Sequence, residues 1–565
     1  MSISRRELLA MMSVAWVEGR VLSATSESHA AVVNVVNEWS FESRKTYRDP
    51  FNEVELDVDF TGRDGAGFRI PAFWAGELTW RVRFAPPTPG LYQYQTRCSD
   101  TRNADLHGRA GPFQAVAYEG QNPLLRHGAI RVAKAGQYFE HADGTPFFFL
   151  ADDWWHGMSK RLRWPKEFRA LVEDRAQEGF TVIKMVPGLA CDTPEFDPRN
   201  ENEAGLPWEE GYARIRPKYF DAADLRVQHL VERGLVPAIV GAWGYYLLSM
   251  GVQKMQQHWR YLVARWGAYP VVWYLSLEND MPYYLSMLMN RWEDEVKLRA
   301  QWTEVGRYLK TIDPFRRPIT MQSMSGKMTS RDGLLDASLL DFDSLHVGHS
   351  DRASVLRGLE MLCAGRSRQP TMPVLPGEIC FEGIGGENWQ NIQRMSFWGN
   401  LLSGAAGYCY GANGVWQFNR REEPFGVSPF GATWGGEPWE VAAQYPGSHQ
   451  IGLAKKFLSR YAYWRMEPHP EWIDPHPDSK SILPPYAAGV PREFRIAYLS
   501  YFFPFREGKP VLKQLEPDVR YKARWFDPVL GGEYEIGPVE TGPDGVWAIP
   551  PMPAVQDWVI VLERA

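Results

Sequence analysis

The sequence predicts an α/β fold: a (β/α)8 TIM barrel flanked by an N-terminal and a smaller C-terminal antiparallel β-sandwich. Its 565 residues are 44% hydrophobic and 23% charged, which is enough apolar material for several packed domains. Between residues 128 and 460, eight short apolar segments alternate with helical patterns, as is typical of a parallel barrel. Residues 32–120 and 470–565 instead alternate apolar and polar side chains between glycine- and proline-rich turns, which favours sandwiches.

The composition excludes several classes of protein. The net charge is -6, and no long Lys/Arg run is present, which argues against a nucleic-acid partner. Five cysteines without C-x-x-C spacing indicate neither a disulfide framework nor a zinc knuckle. The sequence contains no uncharged apolar stretch of about 18 residues, so no membrane span is predicted. The 24 tryptophans suit the apolar faces of sugars, although composition alone favours core filling as the explanation. We expect no cofactor, and the oligomeric state stays open.

Residues 1–31 resemble an export signal. Arg5 and Arg6 form a twin-arginine pair ahead of a short apolar stretch, and small residues near Ala30 suit cleavage. Glu18 and Arg20 interrupt the apolar stretch, so a frayed amphipathic N-terminus is the alternative. If the signal acts, the protein is periplasmic or secreted; otherwise it is cytoplasmic.

Antiparallel strands are predicted on both sides of the barrel. In residues 54–60, apolar residues alternate with acidic ones, so that one face enters a core and the other meets water. The tail is predicted either to pack on the barrel or to be tethered loosely through the proline-rich stretch 468–485. The predicted strands are 54–60, 80–84 and 92–96 on the N-terminal side, and 494–501, 521–526, 531–536 and 557–562 on the C-terminal side.

The barrel strands are predicted from the apolar segments. The intervening segments have helical spacing, and Pro165 and Pro217 stand where helices begin, a position at which the missing N–H costs little. A doubly wound sheet is the alternative, but no G-x-G-x-x-G follows the first strand. The eight predicted strands are 147–151, 181–186, 236–241, 271–277, 318–322, 343–347, 373–377 and 404–410.

Polar and aromatic side chains follow the predicted strands. Because the loops at the carboxyl ends of barrel strands converge on one cleft, we expect these side chains to meet there. Carboxylates and amides suit sugar hydroxyls, and aromatic rings suit sugar faces, so the predicted partner is an oligosaccharide or polysaccharide. The predicted substrate-binding residues are Asp153, Trp154, His156, Lys184, Trp243, Asn279, Gln322, His346, Glu382, Tyr410 and Trp416.

Two glutamates end apolar strands that face each other across the barrel. Glu278 follows the fourth strand and Glu378 follows the seventh. Burial at a strand end raises the pKa of a carboxyl group, which a general acid requires. Retaining glycosidases use two carboxyls roughly 5–5.5 Å apart, so we predict Glu278 as acid/base and Glu378 as nucleophile. The alternative is that each glutamate merely caps the rim through salt bridges.

Other chemistry is less favoured. His346 and His349 are three residues apart on a strand end, which predicts rings on opposite faces, and no H-E-x-x-H occurs; we expect no metal. An inverting hydrolase with Asp153 or Glu382 as base would separate the carboxyls by roughly 6.5–9.5 Å. A non-catalytic carbohydrate-binding or surface protein is the third alternative.

The middle region resembles the apiosidase-like catalytic domains of bacterial glycoside hydrolases. The resemblance rests on residues 147–155, 178–183 and 217–221 and on the segments around Glu278 and Glu378. Residues 49–51, 72–74 and 81–86 are similar to the sandwich that precedes such barrels, and residues 524–528 and 557–559 to a small C-terminal sandwich that carries a collagen-binding label in that family. We transfer neither that label nor apiose specificity.

The resemblance implies a (β/α)8 glycosidase whose acid/base and nucleophile are Glu278 and Glu378. Two motifs differ from the family pattern. Ala151-Asp152-Asp153 stands in place of a Gly-Asp-Thr-like turn, and Glu278 follows a leucine where relatives often have glycine.

Overall fold

The computed structural model describes residues 21–22, 30–63, 65–282, 291–324, 329–476, 485–501 and 509–565. Nearly all of the predicted export signal and part of the predicted 468–485 tether lie outside these ranges. The chain forms two compact units: residues up to Gly120 with Val263–Tyr269, and Gln121–Leu262 with Pro270–Ala565. Within the described ranges, no helix has both the length and the apolar content needed to cross a membrane.

The first unit is built from two sheets. One has the strand order β1-β3-β7-β6 and the other β2-β9-β8-β4-β5, and pairing is antiparallel except between β1 and β3 and between β2 and β9. Val58 and Phe60 of β4 are buried, whereas Asp59 between them pairs outward with Arg69. This alternation produces the predicted sandwich. The elements are β1 Val21–Leu22, β2 Ala31–Val32, β3 Asn37–Glu42, α1 Pro50–Glu53, β4 Leu56–Gly62, β5 Gly67–Pro71, β6 Phe73–Gly76, β7 Thr79–Phe84, β8 Gly90–Cys98 and β9 Ala110–Val116.

The second unit begins with the barrel. After a three-stranded sheet (β10 to β12), six parallel strands have the order β17-β16-β15-β14-β13-β20, and β18 pairs in parallel with β19. The strands are β10 Ile130–Val132, β11 Phe139–His141, β12 Pro146–Phe147, β13 Phe149–Asp153, β14 Val182–Met185, β15 Val236–Val240, β16 Val272–Leu277, β17 Ile319–Gln322, β18 Asp343–Gly348, β19 Val374–Ile379 and β20 Gly407–Tyr410.

Backbone hydrogen bonds place the β18–β19 pair between β17 and β20. The Asp341 N–H donates to the Ile319 carbonyl (2.8 Å), and the Ala406 N–H donates to the Val374 carbonyl (2.9 Å). Eight parallel strands therefore form one ring, which confirms the predicted (β/α)8 class and excludes the doubly wound alternative. The first strand begins two residues later than predicted, because Phe147 belongs to β12 and pairs with β11.

Helices connect the barrel strands. Pro217 occupies the first turn of α4, and Gly251 (φ 72°) interrupts α5. The helices are α2 Pro123–Arg126, α3 Lys166–Glu178, α4 Pro217–Glu232, α5 Tyr246–Trp266, α6 Arg291–Ile312, α7 Asp351–Ser367, α8 Gln390–Leu402, α9 Trp439–Ala442 and α10 Pro446–Leu458.

The C-terminal sandwich has sheets ordered β21-β23-β24-β29-β26-β27 and β22-β25-β28. Its core includes Trp472, Trp525, Trp558 and Ile560. The predicted strand 531–536 is found as β27, two residues later. The strands are β21 Glu467–Pro468, β22 Ile473–Asp474, β23 Tyr486–Val490, β24 Phe494–Leu499, β25 Val511–Leu512, β26 Tyr521–Phe526, β27 Glu533–Pro538, β28 Trp547–Ala548 and β29 Trp558–Arg564.

The C-terminal sandwich packs against helices α8 and α10 of the barrel. Trp398 of α8 stacks on Tyr498 at 6.1 Å between ring centroids, and Phe457 of α10 stacks on Phe526 at 4.1 Å. Arg394 of α8 forms a buried ion pair with Asp557 at 2.7 Å. Of the two predicted arrangements, packing on the barrel is the one found.

Candidate active site

Glu278 lies directly after β16, on a sharp turn. Its φ is 45°, a left-handed value that is uncommon outside glycine and ends the strand. Gly244 permits this turn, because a Cβ there would lie 2.2 Å from the Glu278 carbonyl oxygen. The Trp243 indole N–H donates to Glu278 Oε2 at 2.7 Å. Burial, followed by the negative charge of Glu378, raises the pKa of Glu278 well above its usual range, so its carboxyl group holds a proton.

Glu378 lies in β19 and is surrounded by nitrogen atoms. Gln322 Nε2 donates to its Oε2 at 2.5 Å, and the Nε2 atoms of His349 and His346 lie 3.2 Å and 3.3 Å from its Oε1. Burial alone would raise the pKa of Glu378, but the two histidines and the Lys184 ammonium group outweigh it and lower the pKa to about 2. Glu378 is therefore an ionised carboxylate.

The His346 ring lies close to both glutamates. Its Nδ1 lies 3.6 Å from Glu278 Oε1, and its Nε2 faces Glu378. One imidazole thus lies within 4 Å of both carboxyl groups. The structure thus brings together Glu278, Glu378, Gln322 and His346, four residues from four strand ends.

His346, His349 and Glu378 also bring three possible metal-ligand atoms within 4.8 Å of one another. The prediction that the two rings point to opposite faces is therefore wrong: Gly348 (φ 98°) lies between them and breaks the strand alternation. The hydrogen bonds nevertheless do not suit a metal. The Phe381 N–H donates to His349 Nδ1 at 3.0 Å, so a neutral His349 ring keeps its proton on Nε2 and donates it to Glu378.

Beneath Glu378, Lys184 and Asp153 form an ion pair that is fully buried. Lys184 Nζ lies 2.7 Å from Asp153 Oδ1 and donates to the Gly377 carbonyl at 2.9 Å. The charges of Asp153 and Glu378 raise the pKa of Lys184 despite its burial. Both side chains are inaccessible to solvent, so in this structure they support the glutamate from below.

An aromatic cluster lies beside the two glutamates. The Trp155 ring lies 4.8 Å from Trp243, 5.1 Å from Trp416 and 5.3 Å from Phe381, measured between centroids. Trp243 and Trp416 therefore belong to this cluster, and both are buried; their predicted role in substrate binding stays a prediction. His156 lies behind Trp416, and burial followed by the charge of Arg161 lowers its pKa to about 3.

Trp154 and Asn279 are not brought to the cluster. The Trp154 indole N–H donates to Asp152 at 2.8 Å, and the Trp154 ring packs on Phe168 of α3. The Trp154 side chain points outward because residues 152 and 154 share one face of the strand. Asp152 on that face is directed toward the helices and pairs with Arg175. Asn279 donates to the Gly333 carbonyl at 2.6 Å, away from Glu378.

Glu382 and Tyr410 also lie apart from the cluster, and they bind each other. The Tyr410 hydroxyl donates to Glu382 Oε2 at 2.7 Å, and the Gly447 N–H donates to Oε1 at 3.1 Å. Tyr410 pairs in register with Asp152, so it faces the helix layer. Burial raises the pKa of Glu382 to about 7 despite these donors. Both are held in the outer layer by this network.

The sequence analysis did not select two residues of the site, Trp155 of the aromatic cluster and His349 beside Glu378. Residues 153 and 155 lie on the same face of the strand, because side chains alternate. A predicted strand that ran to Asp153 would therefore have selected Trp155 instead of Trp154. His349 was set aside because the strand was assumed to continue, although the glycine before it signals a change of direction.

The sequence matches two described families. Residues 133–465, more than half of the chain, match the family described as "Apiosidase-like, catalytic domain". Residues 35–99 match a domain of unknown function, DUF5060. No curated protein matches the sequence.

The fold resembles several solved structures. A protein described as a glycoside hydrolase has a TM-score of 0.63 at 19% identity, over 79% of this chain and 99% of that chain. A glycoside hydrolase family 5 protein from Bacteroides vulgatus ATCC 8482 has a TM-score of 0.65 at 18% identity, over 79% and 95%. A second protein of that strain, described provisionally as a glycoside hydrolase, has a TM-score of 0.66 at 17% identity, over 95% and 100%. At these identities the likeness concerns the fold.

Proposed function

Since this chain belongs to the apiosidase-like family of glycoside hydrolases, we propose that it cleaves glycosidic bonds with retention of anomeric configuration. The single observation that supports this mechanism is the opposite protonation of two neighbouring carboxyl groups. The pKa of Glu278 is raised by burial and by Glu378, whereas the pKa of Glu378 is lowered by its histidine neighbours. A protonated acid beside an ionised carboxylate is the pair that double displacement needs.

The reaction would proceed in two steps. The Glu278 carboxyl group donates its proton to the glycosidic oxygen as the bond from that oxygen to the anomeric carbon breaks, and the leaving group departs as an alcohol. Glu378 forms an ester bond to the anomeric carbon. In the second step Glu278 takes a proton from water, the water oxygen bonds to the anomeric carbon, and the Glu378 ester bond breaks. The sum is the addition of one water molecule.

The three nitrogen-bearing side chains around Glu378 and the tryptophan beside Glu278 have distinct tasks in this scheme. Gln322, His346 and His349 hold the nucleophile ionised and in one orientation. The Trp243 N–H fixes one oxygen of Glu278, leaving the other for the proton transfer.

The alternative bases named for an inverting mechanism receive no support from the geometry. Asp153 is fully buried against Lys184, and Glu382 is held by Tyr410 in the outer layer. The substrate class we propose is an oligosaccharide or polysaccharide of plant, algal or microbial origin. The twin-arginine-like segment supports a periplasmic or secreted location, which fractionation of cells expressing the full chain and an Arg5→Lys/Arg6→Lys variant would test.

The experiment is a screen of the purified full chain against a panel of oligosaccharides and polysaccharides, with proton NMR of the first-formed anomer. We expect retained configuration for any substrate that is cleaved. Glu378→Gln should abolish turnover while leaving the folded state and sugar binding nearly intact. An inverted first product, or wild-type turnover by Glu378→Gln, would overturn the mechanism. Absence of cleavage across the panel would count against the proposed substrate class.

A further inference from the structure

A large indole is exposed on the loop that follows β20. The Trp434 residue is 44% exposed, and its N–H donates to Asp192 Oδ2 at 2.8 Å. Asp192 itself is buried and lies in the loop after β14. A ring held by its edge in this way presents a flat apolar face to solvent.

The Trp434 loop is fixed by its own backbone contacts. Asn413 Nδ2 donates to the Trp434 carbonyl at 2.5 Å, and Asn419 Nδ2 donates to the Glu437 carbonyl at 2.9 Å. The Trp439 N–H in turn donates to the Asn419 carbonyl at 2.8 Å. The ring is therefore presented in one place, and stacking on it costs little conformational entropy.

The loop that carries Asp192 contacts the residues next to Glu278. The Trp243 backbone N–H donates to the Leu189 carbonyl at 2.9 Å, and the Tyr245 hydroxyl donates to the Thr193 carbonyl at 2.8 Å. The indole of the same Trp243 holds Glu278. The charge of Asp192 is also one of the causes that raise the pKa of Glu278, whereas Asp192 is not among the main causes that shift the pKa of Glu378.

We propose that Trp434 forms a leaving-group subsite, on which the saccharide ring linked through the oxygen that Glu278 protonates stacks its apolar face. Asp192 holds the indole N–H, and Asn413 holds the backbone carbonyl of Trp434. The inference rests on the proposed function, and it narrows the substrate class to glycosides whose leaving group is itself a sugar ring. Nothing in the sequence analysis selected Trp434, because its anchor lies 242 residues away along the chain.

The test compares two substrates in the full chain. One is the oligosaccharide that the wild type cleaves. The other is the glycosyl fluoride of the sugar whose anomeric carbon is attacked, in which fluoride replaces the leaving-group ring. Trp434→Ala should lower kcat/KM for the oligosaccharide about tenfold or more, the loss of one good aromatic contact, and leave the fluoride unchanged. The matched control is Phe430→Ala, which removes a 61% exposed ring from the same loop and should change neither rate.

Equal losses on both substrates, or no loss on the oligosaccharide, would overturn the subsite while leaving the hydrolase proposal intact. Binding of the panel oligosaccharides to the Glu378→Gln variant, measured by calorimetry, tests the subsite independently of turnover. Addition of Trp434→Ala should weaken that binding about tenfold. If the wild type cleaves nothing but Trp434 still contributes to binding, the proposed reaction fails and the sugar subsite stands; if no oligosaccharide binds either, both fail.

Discussion

Asp557 joins the C-terminal sandwich to the barrel, and removing its side chain leaves the buried guanidinium group of Arg394 without its ion-pair partner, although Gln450 still accepts from it. Its two oxygens accept from Arg394 Nη2 and Nε, both at 2.7 Å, and Oδ2 also accepts from the Tyr498 hydroxyl at 2.9 Å. The Asp557 and Arg394 side chains are only 2% and 8% exposed. Because Asp557→Ala would strand a buried guanidinium group, we expect a loss of about 3–5 kcal/mol in the free energy of unfolding.

The assay is urea unfolding of the full chain followed by tryptophan fluorescence, with thermal unfolding as a second probe. The matched control is Asp518→Ala in the same sandwich, since Asp518 pairs with Arg492 at side-chain exposures of 65% and 52%. An exposed pair of this kind should contribute little to the free energy of unfolding. Arg394→Met combined with Asp557→Leu removes both charges and should recover most of the loss. If Asp557→Ala and Asp518→Ala destabilise equally, the buried pair is not what holds the sandwich to the barrel.

Three further predictions concern the site. His349→Phe removes a donor to Glu378, so the pKa of this proposed nucleophile should rise and the acidic limb of the kcat/KM profile should move to higher pH by about one unit. An unmoved limb would contradict the contact. Asp192→Asn removes a negative charge that raises the pKa of Glu278, so the basic limb should move to lower pH, and a move to higher pH would refute this. Trp154→Phe removes a buried hydrogen bond and should lower the free energy of unfolding by about 1–3 kcal/mol with KM unchanged; an altered KM would place Trp154 in the cleft after all.

The barrel and the central residues of the site could be predicted from strand ends. Apolar segments mark parallel strands, and the carboxyl ends of such strands meet at one rim. Glu278, Gln322, His346 and Glu378 each stand at such an end, so finding the strands was sufficient to find these four. The placement of these four side chains depends on their position along each strand and hardly on the conformation of the loops.

The aromatic residues were harder to predict because their placement depends on parity. An error of two residues in a strand end does not change which side chains face the barrel interior. The end of β13 was uncertain, however, so the sequence did not show whether Trp154 or Trp155 continues the inward face. Tyr410 was selected on residue type alone, although its register with Asp152 directs it outward. His349 depended on the left-handed turn at Gly348, a backbone choice that simple periodicity does not contain.

The nearness of the two glutamates means that the charge of one affects the protonation of the other. The charge of Glu378 is one reason why Glu278 keeps its proton. In the proposed cycle, esterification of Glu378 by a sugar would remove that charge, so the pKa of Glu278 would fall at the step in which it accepts a proton from water. On this proposal, the chemistry at one carboxyl group changes the protonation of the other without any movement of the chain.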